Sequence, residues 1–273
     1  MSVLGDWLRE VRAKRPLVHN ITNLVVNNTV ANALLSIGAS PVMAQAHEEV
    51  ADMARISAAL ALNMGTLSPE LVTAMQIAGK SANETGIPVV FDPVGVGATP
   101  YRTRTATDIA RSLQLTVLRG NAGEIGCLLD SGGKVTGVDS AGASAAMPIA
   151  MKQYAKEHHS VVVATGEIDW VTDGQRVWKL QNGHSLMAAV TGSGCSLTGI
   201  LGAFAGVVPR RSPLGTYAEA VIAGITCFNV AAEAAALVAQ GPGTFQAALF
   251  DALYRLDGDD VERNAHIAVV DID

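Results

Sequence analysis

Val89-Val90-Phe91-Asp92-Pro93-Val94-Gly95-Val96-Gly97-Ala98-Thr99 is the stretch from which the fold is read. Three β-branched and aromatic residues suit a buried, pleated surface; an acid, a proline and two glycines then end it in a turn. The pattern recurs downstream. Leu115-Thr116-Val117-Leu118 leads into Arg119-Gly120-Asn121-Ala122-Gly123-Glu124, and Val161-Val162-Val163-Ala164 leads into Thr165-Gly166-Glu167-Ile168-Asp169. Strands are expected over 41–43, 59–64, 89–92, 115–119 and 160–165. Helical patterns fill 24–37, 69–85, 106–113 and 142–158. Such alternation implies βαβ units and a mostly parallel central sheet flanked by helices. The expected fold class is therefore α/β, and with no repeat or linker to divide the chain, residues 1–273 are expected to form a single domain.

Beyond residue 165 the parallel pattern stops. Trp170-Val171-Thr172, the Asp173-Gly174 pair and Arg176-Val177-Trp178 read as a β-hairpin with a tight turn. After Cys195 the chain reads as all helical, with an Ala-rich segment over 217–239. Residues 1–15 read as a charged helix and not as a signal peptide, because they lack an apolar stretch.

Composition narrows the function. Among 273 residues, 49% are hydrophobic, 4% aromatic and only 16% charged, which leaves little surface for solvation alone and suggests a hidden oligomer interface. The net charge of −6 argues against nucleic-acid binding. No run of uninterrupted apolar residues is long enough to cross a membrane. Three widely spaced cysteines without zinc-ligand spacing fit a reducing, cytoplasmic compartment.

In parallel sheets ligands bind beyond the carboxyl ends of the strands. Asp92, Arg119, Asn121, Glu124 and Thr165 all stand at such ends. Val190-Thr191-Gly192-Ser193-Gly194-Cys195 adds a Gly-rich turn opening an apolar helix, where free amides and the helix dipole favour an anion. Cys195 falls in the first helical turn, where the dipole is expected to lower its pKa toward thiolate. Two carboxylates, an arginine and an amide cradle are what phosphoryl transfer needs, with Asp92 and Glu124 suited to magnesium partly through water. Each residue also has a structural reading. Asp92 can open a turn, Glu124 can complement a helix dipole, Arg119 can pair an acid at the sheet edge, and Cys195 can fill a core. Their joint placement favours the site. A P-loop, a dinucleotide fingerprint and a Cys–His nucleophile pair are absent from the sequence.

The amino-terminal part is dense in asparagine: His19-Asn20-Ile21-Thr22-Asn23, then Asn27, Asn28 and Asn32. Caps explain one or two of these; the rest are expected to bind a ligand or a neighbouring subunit. Met43, ending a strand candidate, could pack on a soft aromatic ring or fill the core.

These segments, with Gly38-Ala39-Ser40-Pro41-Val42-Met43 and Gly241-Pro242-Gly243-Thr244-Phe245, resemble the hydroxyethylthiazole kinase family over nearly the whole chain. The resemblance implies a ribokinase-like fold and ATP-dependent phosphorylation of 4-methyl-5-(2-hydroxyethyl)thiazole, a salvage step toward thiamine. It further implies Mg2+ and a homotrimer with sites at subunit boundaries. By position, Asn23, Met43 and Gly192 would meet the thiazole alcohol. Arg119, Thr165, Asn121 and Gly194 would serve ATP, and Asp92 and Glu124 the metal. Cys195 stands where most ribokinase-like relatives carry an aspartate base, and it would position or deprotonate the hydroxyl without becoming phosphorylated. Alternatives are another ribokinase-like alcohol kinase, acting on a pyrimidine or a sugar; a nucleotide-dependent lyase repairing hydrated nicotinamide cofactors; and a non-catalytic binding scaffold.

Overall fold

The computed structural model describes residues 4–130 and 146–272. Its strands are β1 (Leu17–Ile21), β2 (Ser40–Val42), β3 (Ala59–Asn63), β4 (Val89–Asp92), β5 (Val117–Asn121), β6 (Val161–Thr165), β7 (Asp169–Thr172), β8 (Val177–Leu180) and β9 (Ile267–Val270). The helices before β6 are α1 (Leu4–Lys14), α2 (Asn27–Ile37), α3 (Val50–Ile56), α4 (Pro69–Thr85), α5 (Pro100–Ser112), α6 (Ala122–Asp130) and α7 (Ala146–His158). Those after β8 are α8 (Ser193–Val207), α9 (Leu214–Ala236), α10 (Pro242–Arg255) and α11 (Gly258–Asn264).

All nine strands join one sheet in the order β2-β1-β3-β4-β5-β6-β7-β8-β9. The six from β2 to β6 run parallel, and β7, β8 and β9 add antiparallel pairings. The expected mostly parallel sheet is thus observed. Local chemistry sets its boundaries. Ser68 caps α4 by accepting from the Leu71 amide, Pro69 begins it, and Gly86 ends it at φ 71°, so the expected helix over 69–85 has its observed limits.

The sheet carries a core on each face. On one, Val90, Val117, Val161 and Val163 pack with residues of α8 and α9; on the other, Val89, Phe91, Leu118 and Val162 pack with residues of α4, α5 and α6. α8 is buried nearly all round, as its uniformly apolar sequence demands, and lies across β1, β3 and β4. α9 is long and apolar enough to cross a membrane, yet 83% of that stretch is buried within the protein, packed against α8, α10 and α1.

Several expectations are corrected. Within the Asn-dense amino-terminal segment expected to bind a ligand or a neighbouring subunit, His19 and Asn20 are instead strand residues buried in the sheet as part of β1. α2 starts at Asn27, not residue 24, because 24–26 form a turn. α5 starts at Pro100, six residues earlier than expected, where Thr99 caps it. The hairpin connection has four residues, 173–176, because the Asp173 carboxylate accepts the amides of Gln175 and Arg176 and widens the turn. The region after Cys195 is not all helical: β9 returns to close the antiparallel edge on β8. Of the helix expected over 142–158, residues 142–145 lie outside the described residues, as do residues 1–3 of the expected first helix.

Candidate active site

Side chains alternate across a strand, and that parity builds the site. Ala61, Val90, Val117 and Val163 face the α8 side of the sheet. Two residues further on in their strands stand Asn63, Asp92, Arg119 and Thr165. Four adjacent strands therefore deliver four polar ends to one face, where the amino terminus of α8 arrives.

Hydrogen bonds join them. Arg119 donates from Nη1 to Asp92 Oδ2 (3.2 Å) and from Nη2 to Thr165 Oγ1 (2.8 Å). Asp92 Oδ2 also accepts from Asn63 Nδ2 (2.9 Å) and from Thr198 Oγ1 (2.7 Å), which comes from the second turn of α8. Asp92 is wholly buried, and burial pushes its carboxyl up to about 6. The Arg119 charge and the Thr198 and Asn63 hydrogen bonds oppose that rise, and the nearby Glu124 charge adds to it.

Two glycines let α8 approach. Gly192, the residue before its first turn, has φ 87°, and a Cβ there would lie 2.6 Å from Val26 Cγ1. A Cβ on Gly194 would lie 3.0 Å from Arg119 Nη1, so the guanidinium rests against bare backbone. Gly192 faces the amino-terminal segment and Gly194 faces the charged cluster.

Cys195 follows. Its Sγ accepts from Asn23 Nδ2 at 3.3 Å. The expectation of a dipole-stabilised thiolate is corrected: burial first, and the Asp92 charge second, push this thiol above its ordinary value. Asn23, Asn63 and Arg119 oppose the shift without cancelling it. Cys195 is a neutral thiol at physiological pH.

Glu124 and Asn121 form the rim. The Asn121 side chain accepts the Glu124 amide (2.8 Å) and Glu124 Oε2 accepts the Asn121 amide (2.9 Å), a reciprocal cap on α6. Glu124 Oε1 takes the Gly95 amide (2.8 Å), tying the turn after β4 to α6. The structural role weighed for Glu124 is therefore real, and its charge still reaches Asp92.

Met43 lies just beyond β2 at the sheet edge. Its segment is moored to β1 by His19 Nε2 on the Ala44 carbonyl (2.8 Å) and to the turn after β1 by Gln45 donating to the Thr22 carbonyl (3.2 Å). Met43 itself packs against the core on the α8 side of the sheet, and no hydrogen bond among the described residues ties it to the Asp92–Arg119 group. Of the other asparagines, Asn32 donates to Asn28 within α2.

Beside Arg119 opens a cleft of about 800 Å3 lined by Thr165, Asp169, Asn182, His184, Gly194 and Asn229 among others. Its size suits a nucleotide. Asp169, buried and held above its ordinary pKa by desolvation, accepts from the Gly166 amide and from Asn229 Nδ2. Glu233 accepts from Asn182 Nδ2 and the Gly183 amide, fixing the far wall.

Asn63 and Thr198 were missed in the sequence. Asn63 ends an apolar strand immediately before Met64-Gly65-Thr66, the same strand-end signal that marked Asp92. Thr198 gave none, because a threonine inside an apolar helix reads as packing.

Magnesium fits this donor set. Asp92 Oδ1 is a buried carboxylate oxygen with no hydrogen-bond partner among the described residues, and Arg119 Nε is likewise unpartnered among them. One hard oxygen, with Glu124 close by, matches an ion that keeps most of its shell as water and phosphate oxygen.

The Hydroxyethylthiazole kinase family model matches residues 8–259. A hydroxyethylthiazole kinase from Moorella thermoacetica is 51% identical over 262 residues, covering 96% of each chain. The structure of a hydroxyethylthiazole kinase protein from Pyrococcus horikoshii OT3 superposes with TM-score 0.89 at 40% identity, over 99% of this chain and 100% of that one. A ribokinase-like superfamily protein from Enterococcus faecalis V583, at 12% identity and TM-score 0.63 over 91% and 93% of the two chains, shares the fold alone. The strand-end cluster thus sits on a ribokinase-like α/β fold, and the chain belongs to the hydroxyethylthiazole kinase family.

Proposed function

We infer that this chain transfers the γ-phosphoryl group of ATP to the hydroxyl of 4-methyl-5-(2-hydroxyethyl)thiazole, the step that returns the thiazole alcohol to thiamine synthesis. The observation that carries the site assignment is the convergence of Asn63, Asp92, Arg119 and Thr165 on the amino terminus of α8, beside a cleft of about 800 Å3.

Each residue then has work to do. The cleft takes the nucleotide, with Arg119 and Thr165 at the phosphates and Asn121 at its rim. The amides at Gly194 hold phosphate oxygens at the positive end of α8. Arg119, braced by Asp92 and Thr165, offsets charge on the transferring group. Asp92 Oδ1 and Glu124 would hold Mg2+, which when bound neutralises phosphate charge. Glu124 already holds two amides, which favours contact through water. Asn23, Met43 and Gly192 bound the thiazole side, with Cys195 at the hydroxyl. A loose phosphoryl-transfer transition state removes the alcohol's proton late, so a neutral thiol that orients the hydroxyl suffices.

One kinase domain over residues 1–273 accords with a sheet that runs unbroken from β2 to β9. A homotrimer is supported by Leu24 and Val25, which are 72% and 68% exposed beside Asn23 and would be covered by a neighbouring copy. Three free cysteines fit the cytoplasm.

The test is ADP release with Mg-ATP and the thiazole alcohol, against no-substrate, pyrimidine-alcohol and hydrated-cofactor controls. Thiazole-dependent release with a phosphorylated thiazole in the mass spectrum is expected. Release that depends on the pyrimidine alcohol or the hydrated cofactor instead would refute the assignment.

A further inference from the structure

Asn63 is buried, ends β3, and hydrogen-bonds both Asp92 and Asn23, the residue that in turn contacts Cys195. Its amide can face only one way. The Gly65 backbone amide donates to it at 3.0 Å, and a backbone N–H has nothing to accept with, so the atom it meets is Oδ1. Nδ2 is then turned to Asp92 Oδ2, a carboxylate oxygen that can only accept while ionised.

The same logic carries one residue further. Asn63 Oδ1 also accepts from Asn23 Nδ2 at 2.9 Å, and turning the Asn23 amide over would set two carbonyl oxygens against each other. Asn23 Nδ2 has two hydrogens, and the second goes to Cys195 Sγ at 3.3 Å. Both of its N–H groups are spent. What Asn23 still offers is Oδ1, which accepts no hydrogen bond among the described residues. The packing leaves no slack either, because a Cβ on Gly65 would lie 2.7 Å from Asn23 Nδ2.

We propose that Asn63 is a positioning residue that locks the Asn23 amide with its N–H groups on Asn63 and Cys195, leaving Asn23 Oδ1 to accept a hydrogen bond from the substrate's hydroxyl. The inference rests on the thiazole-alcohol reading and deepens it. That alcohol carries a single O–H or N–H donor, its hydroxyl, so an asparagine able only to accept can recognise nothing else on the molecule. Accepting the O–H fixes the oxygen's lone pairs as well, and orienting a nucleophile this way is a source of rate. The same Asn23 amide thus holds Cys195 Sγ through Nδ2 and orients the hydroxyl through Oδ1, while Asp92 Oδ2 accepts from Asn63 at the end of the row.

The test compares binding of the hydroxyethylthiazole with that of its 5-ethyl analogue, which lacks the hydroxyl, by calorimetry, together with steady-state kinetics. Wild-type protein is expected to prefer the alcohol by ~10-fold, the worth of one hydrogen bond. In Asn63→Leu that preference collapses to about twofold or less, kcat falls ~10- to 100-fold, and KM for ATP stays within about twofold. Asn23→Leu gives the same pattern, and the double variant is no worse than the worse single one, because both act on one contact. Gly65→Ala, which crowds Asn23 without touching the Asn63 side chain, is expected to show the collapse in an independent background. It also keeps the proposal open to refutation if Asn63→Leu does not fold. A folded Asn63→Leu or Gly65→Ala that retains the wild-type preference, or single losses that multiply in the double variant, overturns this proposal alone. Wild-type protein that binds neither compound overturns the functional reading and the proposal with it.

Discussion

Asp92 and Glu124 are both acids at strand ends of one sheet, and their surroundings could hardly differ more. Asp92 is wholly buried, and among the described residues one of its oxygens takes three side-chain donors while the other takes none. Glu124 stands at the rim with each oxygen on a backbone amide. Burial raises the Asp92 carboxyl to about 6 and binds its fate to Arg119. The rim acid instead holds two turns in shape. The difference teaches that a charge inside a protein is governed by its partners, whereas a charge at the edge is shared with water.

The comparison breaks most easily at Arg119. Arg119→Met leaves a buried carboxylate without its cation, and a loss of ~3–5 kcal/mol in urea denaturation is expected at neutral pH. Turnover is expected to fall ~10²–10³-fold, as when one preorganised donor to a transition state is removed. Stability within experimental error of wild type would show that Asp92 does not depend on the pair.

Glu124→Gln sharpens the contrast. It keeps one acceptor and loses the other, so the cap on α6 weakens by ~0.5–2 kcal/mol. Activity is expected to drop ~10-fold with a raised magnesium requirement, since a group acting through water is being changed. A magnesium titration of the initial rate reads this directly. A loss as large as that of Arg119→Met would put the rim on a par with the core.

Cys195→Ala probes the thiol. With a neutral, positioning thiol, the loss of kcat is expected to stay well short of the ~10²–10⁴-fold that removing a general base costs. Alkylation of Cys195 followed by mass spectrometry across pH should give an apparent pKa above the ~8.5 of an ordinary thiol. A value near neutrality would restore the thiolate.

The smallest effect is on stability against pH. Burial gives the folded protein a higher Asp92 pKa than the 3.8 of the unfolded chain, so the folded state binds this proton more tightly. The carboxyl's stabilising contribution is complete below its unfolded value and is lost as pH rises through about 6. The urea midpoint of wild type relative to Asp92→Asn should therefore decline across that window. Activity has the opposite sign, because the ionised carboxylate is what pairs Arg119, so kcat/KM is expected to fall below about pH 6.

Much of this was legible in the chain. The βαβ alternation, the limits of α4, the buried α8 and the strand-end positions of Asp92, Arg119 and Thr165 follow from period, caps and turn residues, all of which are local. What was illegible depends on tertiary surroundings. His19 and Asn20 are polar, so β1 did not read as a strand, yet His19 finds the Ala44 carbonyl and Asn20 the Val18 carbonyl inside the sheet. β9 is four residues long and has meaning only beside β8. The Cys195 pKa turned on burial and on Asp92, 103 positions away in sequence but adjacent in space, and helix position alone pointed the wrong way. Thr198 became part of the site only because α8 lies across β4.

The most direct test of the central claim, that the buried Asp92–Arg119 group carries phosphoryl transfer, is the turnover of folded Asp92→Asn with Mg-ATP and the thiazole alcohol. The amide keeps the shape and removes the charge. Phosphorylation slower than wild type by ~10³-fold is predicted. A rate within about tenfold of wild type would contradict the account and move the chemistry to the rim or to the thiol.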